Sequence, residues 1–369
     1  MKTLPPETCA AYLGILAGIK QHHRLYDVHV HPYEVLFDRF TYQDSASAPG
    51  VLSLDGKGYS TPSIYHFRFP ELTDLGNDSK SIRLQDISVM LLKKVYSFVG
   101  EKVFSDQMEL GGIDKVLLLP VASESSSATQ FENRLRWVTE YYSDQRRFAI
   151  AGSVPGSVPT DGLRDYILSQ QVRFNIKAIK CHPVVTGIDL SRMARKQWLA
   201  ELVRACGQCR LPLIIHSGRN NPYWGGKRTN CAALENLKRI NFSCSGTPVI
   251  IAHAGFHRCT MSDILTEGLP LLKNMLSTHD NLFVDISGLT FEPLKVVIEH
   301  LPANRILFGS DALYAPQWES VILTLHALRV KGRRIEDDFI KYASINPRSL
   351  IFEEKTNVQY AADQIPSVP

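Results

Sequence analysis

Eight short apolar runs recur along the 369-residue chain, polar or titratable residues stand at nearly every run's end, and most runs are followed by a helical pattern. Alternation of this kind calls for parallel strands joined by helical crossovers. Eight such units predict an α/β protein, a (β/α)8 TIM barrel with a long insertion after strand 1. An open doubly wound sheet is the rival architecture, but no GxGxxG turn follows the first strand.

In chain order, residues 1–24 are read as an N-terminal helix. The apolar run 10–19 is short for the core of a signal peptide, and no small-residue cleavage site follows it before the first strand, so it reads as amphipathic. The barrel spans 25–352, with its first strand at 25–30. Residues 33–81 interrupt it, rich in Ser, Gly, Asp and Pro but carrying Tyr42, Tyr59, Tyr65, Phe67 and Phe69. A loop this long in a compact domain is expected to be functional, and its aromatics favour an ordered lid. Residues 84–110 place Ile87, Leu91, Val95, Phe98 and Val99 at helical spacing, as one or two helices broken near Gly100. Further strands are expected at 115–120, 148–153, 177–183, 213–218, 248–255, 282–288 and 305–311. The runs are apolar throughout, as strands buried on both faces are. Helices are expected at 131–143, 161–171, 193–206 and 232–240, and 353–369 reads as a polar tail.

Composition narrows the class of function. With 44% apolar and 21% charged residues the chain is that of a soluble globular protein. A net charge of +4 without a Lys/Arg stripe gives no footprint for nucleic acid. No apolar run approaches the roughly 20 residues that span a bilayer. Seven cysteines in an odd, irregular set point to a reduced, cytoplasmic setting. Cys206 and Cys209 form a CxxC without a second pair, and are read as helix surface.

The chemistry is expected where the strands end. Tyr26-Asp27-Val28-His29-Val30-His31-Pro32 carries two histidines two residues apart. In a regular strand these share a face about 6 to 7 Å apart, close enough to converge on one ion. Asp27 would share that face and stand behind the pair as an acceptor. The other strand ends supply Lys180 and His182, His216, His253 and Asp311. A barrel brings all of these to one face. Three histidines and a carboxylate suit a divalent transition metal, zinc first by ligand type, with manganese, iron or cobalt as alternatives. His22, His23, His279, His300 and His326 lie in polar or helical surroundings and are read as surface residues. His66 and His257 are candidates to enter the pocket, and Asp285 is read as a buried polar group without a catalytic role.

Asp27-x-His29-x-His31-Pro32, Ile179-Lys180-Cys181-His182-Pro183, Ile215-His216-Ser217-Gly218, Ala252-His253-Ala254-Gly255 and Phe308-Gly309-Ser310-Asp311-Ala312 resemble the strand-end motifs of the amidohydrolase superfamily. They are most similar to its amidohydrolase-related branch, which includes aminocarboxymuconate semialdehyde decarboxylase. The resemblance runs from about Leu25 to Phe352, where Asn346 in Ser344-Ile345-Asn346-Pro347-Arg348 is similar to a structural helix start of the family. It implies that His29, His31, His216 and Asp311 hold one metal ion, or two if Lys180 is carboxylated as a bridge. It also implies Asp311 as general base toward a metal-activated water, and His253 polarising the substrate carbonyl. Homodimers are common in the family, which makes one the expectation here.

Substrate contacts are expected from Lys180 and His182, and from Arg219, Tyr223, Trp224 and Arg228 in the loop 219–228, which joins cations to aromatic surface. Together with a lid, these favour a small, anionic organic molecule. The first expectation is hydrolysis of a C–N or C–O bond in an amide, lactam or lactone. The alternative is a non-oxidative decarboxylase or hydratase of a small carboxylated substrate on the same metal site. A TatD-like nuclease is disfavoured because such enzymes carry Glu at the fourth strand, where this chain has Lys180 and His182. A non-catalytic barrel is disfavoured because every ligand residue is present.

Overall fold

The computed structural model describes residues 6–32, 101–124, 126–219, 230–312 and 317–353. The expected lid at 33–81, His66, and the loop residues Tyr223, Trp224 and Arg228 lie outside them. So do most of the 84–110 helical region and the tail from 354.

Eight strands pair in sequence order, every pair parallel: β1 (Tyr26–Val30), β2 (Lys115–Leu118), β3 (Phe148–Ser153), β4 (Ala178–Cys181), β5 (Leu213–Gly218), β6 (Val249–His257), β7 (Leu282–Asp285) and β8 (Ile306–Leu307). β8 is short, and the chain beyond it closes the barrel. Val28 donates to the carbonyl of Phe308 at 3.1 Å, Asp311 to that of His29 at 2.9 Å and His31 to that of Ala312 at 2.9 Å. The fold is thus the (β/α)8 barrel that eight buried runs predict.

Strand alternation splits the core in two. Leu117, Ala149, Ala151, Ala178, Ile214 and Ile250 fill the barrel interior. Their neighbours Val116, Ile150, Ile179, Leu213 and Val249 pack outward against the helices. The outer layer comprises α1 (Pro6–Lys20), α2 (Glu101–Gly111), α3 (Ala128–Tyr141), α4 (Leu163–Phe174), α5 (Met193–Gln208), α6 (Leu269–Thr278), α7 (Phe291–His300), α8 (Gln317–Val330) and α9 (Ile335–Ile340). α1 buries Tyr12, Leu16 and Ile19 along one side.

Three local expectations are corrected. Residues 232–240 form no α-helix: Leu234, Leu237 and Ile240 are buried three apart, and i-to-i+3 bonds tie Leu237 to Leu234 and Ile240 to Leu237. A period of three winds a tighter spiral than the 3.6 of an α-helix. Cys206 and Cys209 are buried in the outer core rather than on the helix surface, because α5 turns that edge toward the apolar layer. In β1 the register shifts between Asp27 and Val30, so simple alternation fails there. Val28 joins the interior cluster while Val30 joins the outer one.

Candidate metal centre

That shift in β1 aims both histidines at one point. The Nε2 atoms of His29 and His31 lie 3.3 Å apart, and Asp311 Oδ1 lies 3.6 Å and 3.4 Å from them. All three residues are buried. Each imidazole uses its other nitrogen as a donor: His29 Nδ1 to Asp285 Oδ2 at 2.9 Å, and His31 Nδ1 to the carbonyl of Leu119 at 3.1 Å. A carboxylate and a carbonyl only accept, so both protons sit on Nδ1 and both Nε2 atoms present lone pairs. Two lone pairs and a carboxylate oxygen face one another. Burial, and then the Lys180 ammonium, push His29 down to about 3, so its own protonation does not relieve this crowding. A divalent ion does: tetrahedral ligands about 2.1 Å from zinc stand roughly 3.4 Å apart, the spacing found here. The donor set therefore fits a divalent metal.

Asp311 is held in an unusual backbone state, φ 61°, at the end of the strand-like run after β8. Burial alone would raise its carboxyl, but the adjoining imidazoles of His31, His253 and His29 hold it well below the usual range. Gly288 cradles it, since a Cβ there would meet Asp311 Oδ2 at 2.6 Å. His253 and Ala254 also take left-handed conformations, φ 57° and 50°. Such states concentrate at sites where geometry serves function.

The structure does not put every expected ligand in the same cage. Among the described residues, three ligand atoms lie within 4.8 Å of one another in two groups, His29–His31–Asp311 and His29–His253–Asp285. His216 belongs to neither. Its ring stacks on His182 with centroids 3.9 Å apart, and its Nδ1 meets His253 Nε2 at 3.0 Å. His216 Nε2 is buried and has no hydrogen-bond partner, which makes it a ligand atom in waiting. His257 enters the cluster, its ring 4.8 Å from that of His253.

Lys180, wholly buried, sets its ammonium 3.1 Å from His29 Nε2. Burial pushes it down to about 8 against the pull of Asp285 and Asp311. Arg219 turns elsewhere: its guanidinium pairs with Asp263 at 2.9 Å and lines a separate cavity of about 310 Å³ with Leu234, Phe256 and Cys259. Asp27 is not behind the histidine pair. Its carboxylate accepts from the backbone N–H groups of His29 and Ser310, each at 3.0 Å, and from Gln317 Nε2 at 2.7 Å. The acceptor behind His29 is Asp285, which the sequence marks only as a buried polar group.

The amidohydrolase family model matches residues 121–331, more than half of the sequence. The chain belongs to the amidohydrolase family. No curated protein sequence matches this amidohydrolase. Among solved structures it is similar to 5-carboxyvanillate decarboxylase from Sphingomonas paucimobilis, at 14% identity and TM-score 0.53, over 89% of this chain and 98% of that one. It is similar to 2,6-dihydroxybenzoate decarboxylase complexed with 2,6-dihydroxybenzoate, at 12% identity and TM-score 0.51, over 74% and 95%. A dihydroxybenzoic acid decarboxylase from Polaromonas sp. with bound manganese matches at 12% identity and TM-score 0.51, over 72% and 89%. At such identities the amidohydrolase shares their fold. Among its described residues no helix is long and apolar enough to cross a membrane.

Proposed function

We propose that this amidohydrolase is a metal-dependent, non-oxidative decarboxylase of a small carboxylated organic molecule. The observation that carries the reading is Lys180, a wholly buried ammonium 3.1 Å from a ligand nitrogen of His29. Hydrolysis begins with a base that takes a proton from water. Decarboxylation instead needs a proton delivered to the carbon that loses the carboxylate. Lys180 is a proton carrier at that face, and its charge offsets the negative charge developing on the carbon. The C–C bond breaks, CO2 departs, the electron pair stays on the substrate carbon and takes the Lys180 proton, and a proton from water restores the ammonium, the hydroxide so formed being taken up by CO2 as bicarbonate.

A divalent ion on His29, His31 and Asp311 would anchor and polarise the substrate's oxygens. His253 stands beside this set, its Nδ1 donating to the Ser287 carbonyl at 2.8 Å. Its Nε2 is left as an acceptor only, and in this structure it accepts from His216 Nδ1 at 3.0 Å. Several structures of the same fold are of decarboxylases, which supports the choice over C–N or C–O hydrolysis.

The test is turnover of hydroxylated aromatic carboxylates in D2O by protein loaded with zinc or manganese. The expected result is CO2 release, one deuterium at the carbon that held the carboxylate, and at least about 100-fold loss in Lys180→Met, the scale of a lost proton donor. Turnover of amides or lactones without CO2 would overturn the proposal in favour of hydrolysis.

A further inference from the structure

One buried carboxylate lies outside the His29–His31–Asp311 cage, and all of its close partners are donors of this chain. Asp285 ends β7, fully buried, and accepts from four donors: His29 Nδ1 at 2.9 Å on Oδ2, and on Oδ1 the backbone N–H of His253 at 3.0 Å, that of Ser287 at 3.1 Å and the Ser287 hydroxyl at 2.5 Å. The structure assigns Asp285 and Ser287 as a positioning pair that places the proton on Nδ1 of three separate imidazoles, leaving the Nε2 lone pairs of His29 and His216 for ligands. The assignment rests on the metal reading for what those lone pairs meet, and is independent of whether the reaction is decarboxylation or hydrolysis.

The proton positions follow one from another. The Ser287 hydroxyl gives its hydrogen to Asp285, so its oxygen accepts from His29 Nδ1 and His253 Nδ1, each at 2.9 Å. His253 Nδ1 also reaches the Ser287 carbonyl at 2.8 Å, an acceptor only. His253 thus carries its proton on Nδ1 and offers a lone pair at Nε2. His216 Nδ1, 3.0 Å away, supplies the hydrogen to that lone pair. The proton of His216 is then on Nδ1, and its buried Nε2 is bare, in agreement with its lack of any partner. Two residues of the β7 terminus in this way set three rings carried by β1, β5 and β6.

An amide in place of the carboxylate breaks this logic at a known atom. In Asp285→Asn the amide oxygen is drawn to the Oδ1 position, where three donors converge. The NH2 group then faces His29 Nδ1, which must become an acceptor, and the His29 proton moves to Nε2, into the metal cage. Ser287→Ala keeps the carboxylate against His29 and keeps the Ser287 carbonyl for His253, so its effect is smaller.

The experiment uses the full chain with 15N-labelled imidazoles, free of metal, followed by titration with zinc chloride alone. Wild type is expected to show Nδ1–H on His29, His253 and His216. Asp285→Asn is expected to show His29 as Nε2–H and to bind zinc about 10- to 100-fold more weakly, as other supports of metal-ligating histidines do. Ser287→Ala should retain the His29 proton on Nδ1. Asp285→Asn with unchanged tautomer and zinc affinity would overturn the assignment. So would Nε2–H on any of the three rings in wild type, a readout that stands even if the variant fails to fold. Wild-type tautomers as assigned, without zinc binding, would overturn the metal reading and support the positioning pair.

Discussion

At the scale of single residues, the site depends on side chains fitting where no extra atom fits. Gly288 has φ +60° and lies against Asp311. Gly288→Ala would add a left-handed alanine, which costs about 1–2 kcal/mol, and would push the Asp311 carboxylate away from His29 and His31. The expected result is a melting temperature lowered by a few degrees together with weakened metal binding, read by calorimetry and by metal content after dialysis. Retained metal affinity in a destabilised variant would mean that Asp311 adapts and that Gly288 serves only the backbone. The histidine pair and Asp311 were legible in the sequence because they stand at strand ends, where a barrel gathers side chains. Asp285 was not, because its partner His29 lies 256 residues away and nothing local distinguishes a strand-end carboxylate that orients a ring from one that satisfies backbone. Asp27 was misplaced for a related reason: the register shift in β1 is a tertiary accommodation that strict alternation does not foresee.

Among the elements, the barrel is held shut at places remote from the chemistry. Asn346 donates to the carbonyls of Ala303 at 2.9 Å and Ile306 at 2.7 Å, fixing the entry to β8. Beyond it Ile351 reaches the interior cluster, and Phe352 stacks on Tyr26 with centroids 4.7 Å apart. Asn346→Ala leaves two acceptors short of donors and should cost about 1–3 kcal/mol, read as a lower urea midpoint with unchanged slope. The reading of Asn346 as structural is thereby given a cause. α1 is pinned differently, by the Tyr12 hydroxyl at 2.8 Å from His326 Nδ1, with Phe291 stacked on the same ring. Burial, then Arg329 and Lys295, lower the His326 pKa. The native state therefore binds fewer protons than the unfolded one below about 6.5, and the stability from neutral His326 is complete above that pH and lost as pH falls through the folded value. Acidification from pH 7.5 to 5.5 should lower the wild-type melting temperature more than that of His326→Gln. Equal losses would remove His326 from the account. The helix expected at 232–240 failed where a three-residue spacing imitates an amphipathic helix over a span too short to separate the two periods.

At the scale of the whole molecule, a charged centre is built into the mouth of an apolar barrel, and its cost is met only when the ligands have a cation to share. Without one, lone pairs of His29 and His31 and the Asp311 carboxylate stand within 3.6 Å of one another with only the Lys180 ammonium, 3.1 Å from His29 Nε2, set against them, and His216 Nε2 has no partner. Removing the metal should therefore loosen the face that β1, β5, β6 and the end of β8 share, while the interior layer of Val28, Leu117, Ile214 and Ile250 keeps the barrel assembled. A ligand that binds only the native state, held at about 100 times its dissociation constant, adds about 2.7 kcal/mol. For a domain of this size that is a shift of several degrees. Treatment with a chelator is expected to lower the melting temperature by that amount and to raise amide exchange at residues 29–31, 216–218, 253–257 and 309–312, but not in the strand interiors. Zinc or manganese should restore both. Uniformly faster exchange would show instead that the metal holds up the whole barrel, and no change on chelation would show that these lone pairs tolerate one another unaided.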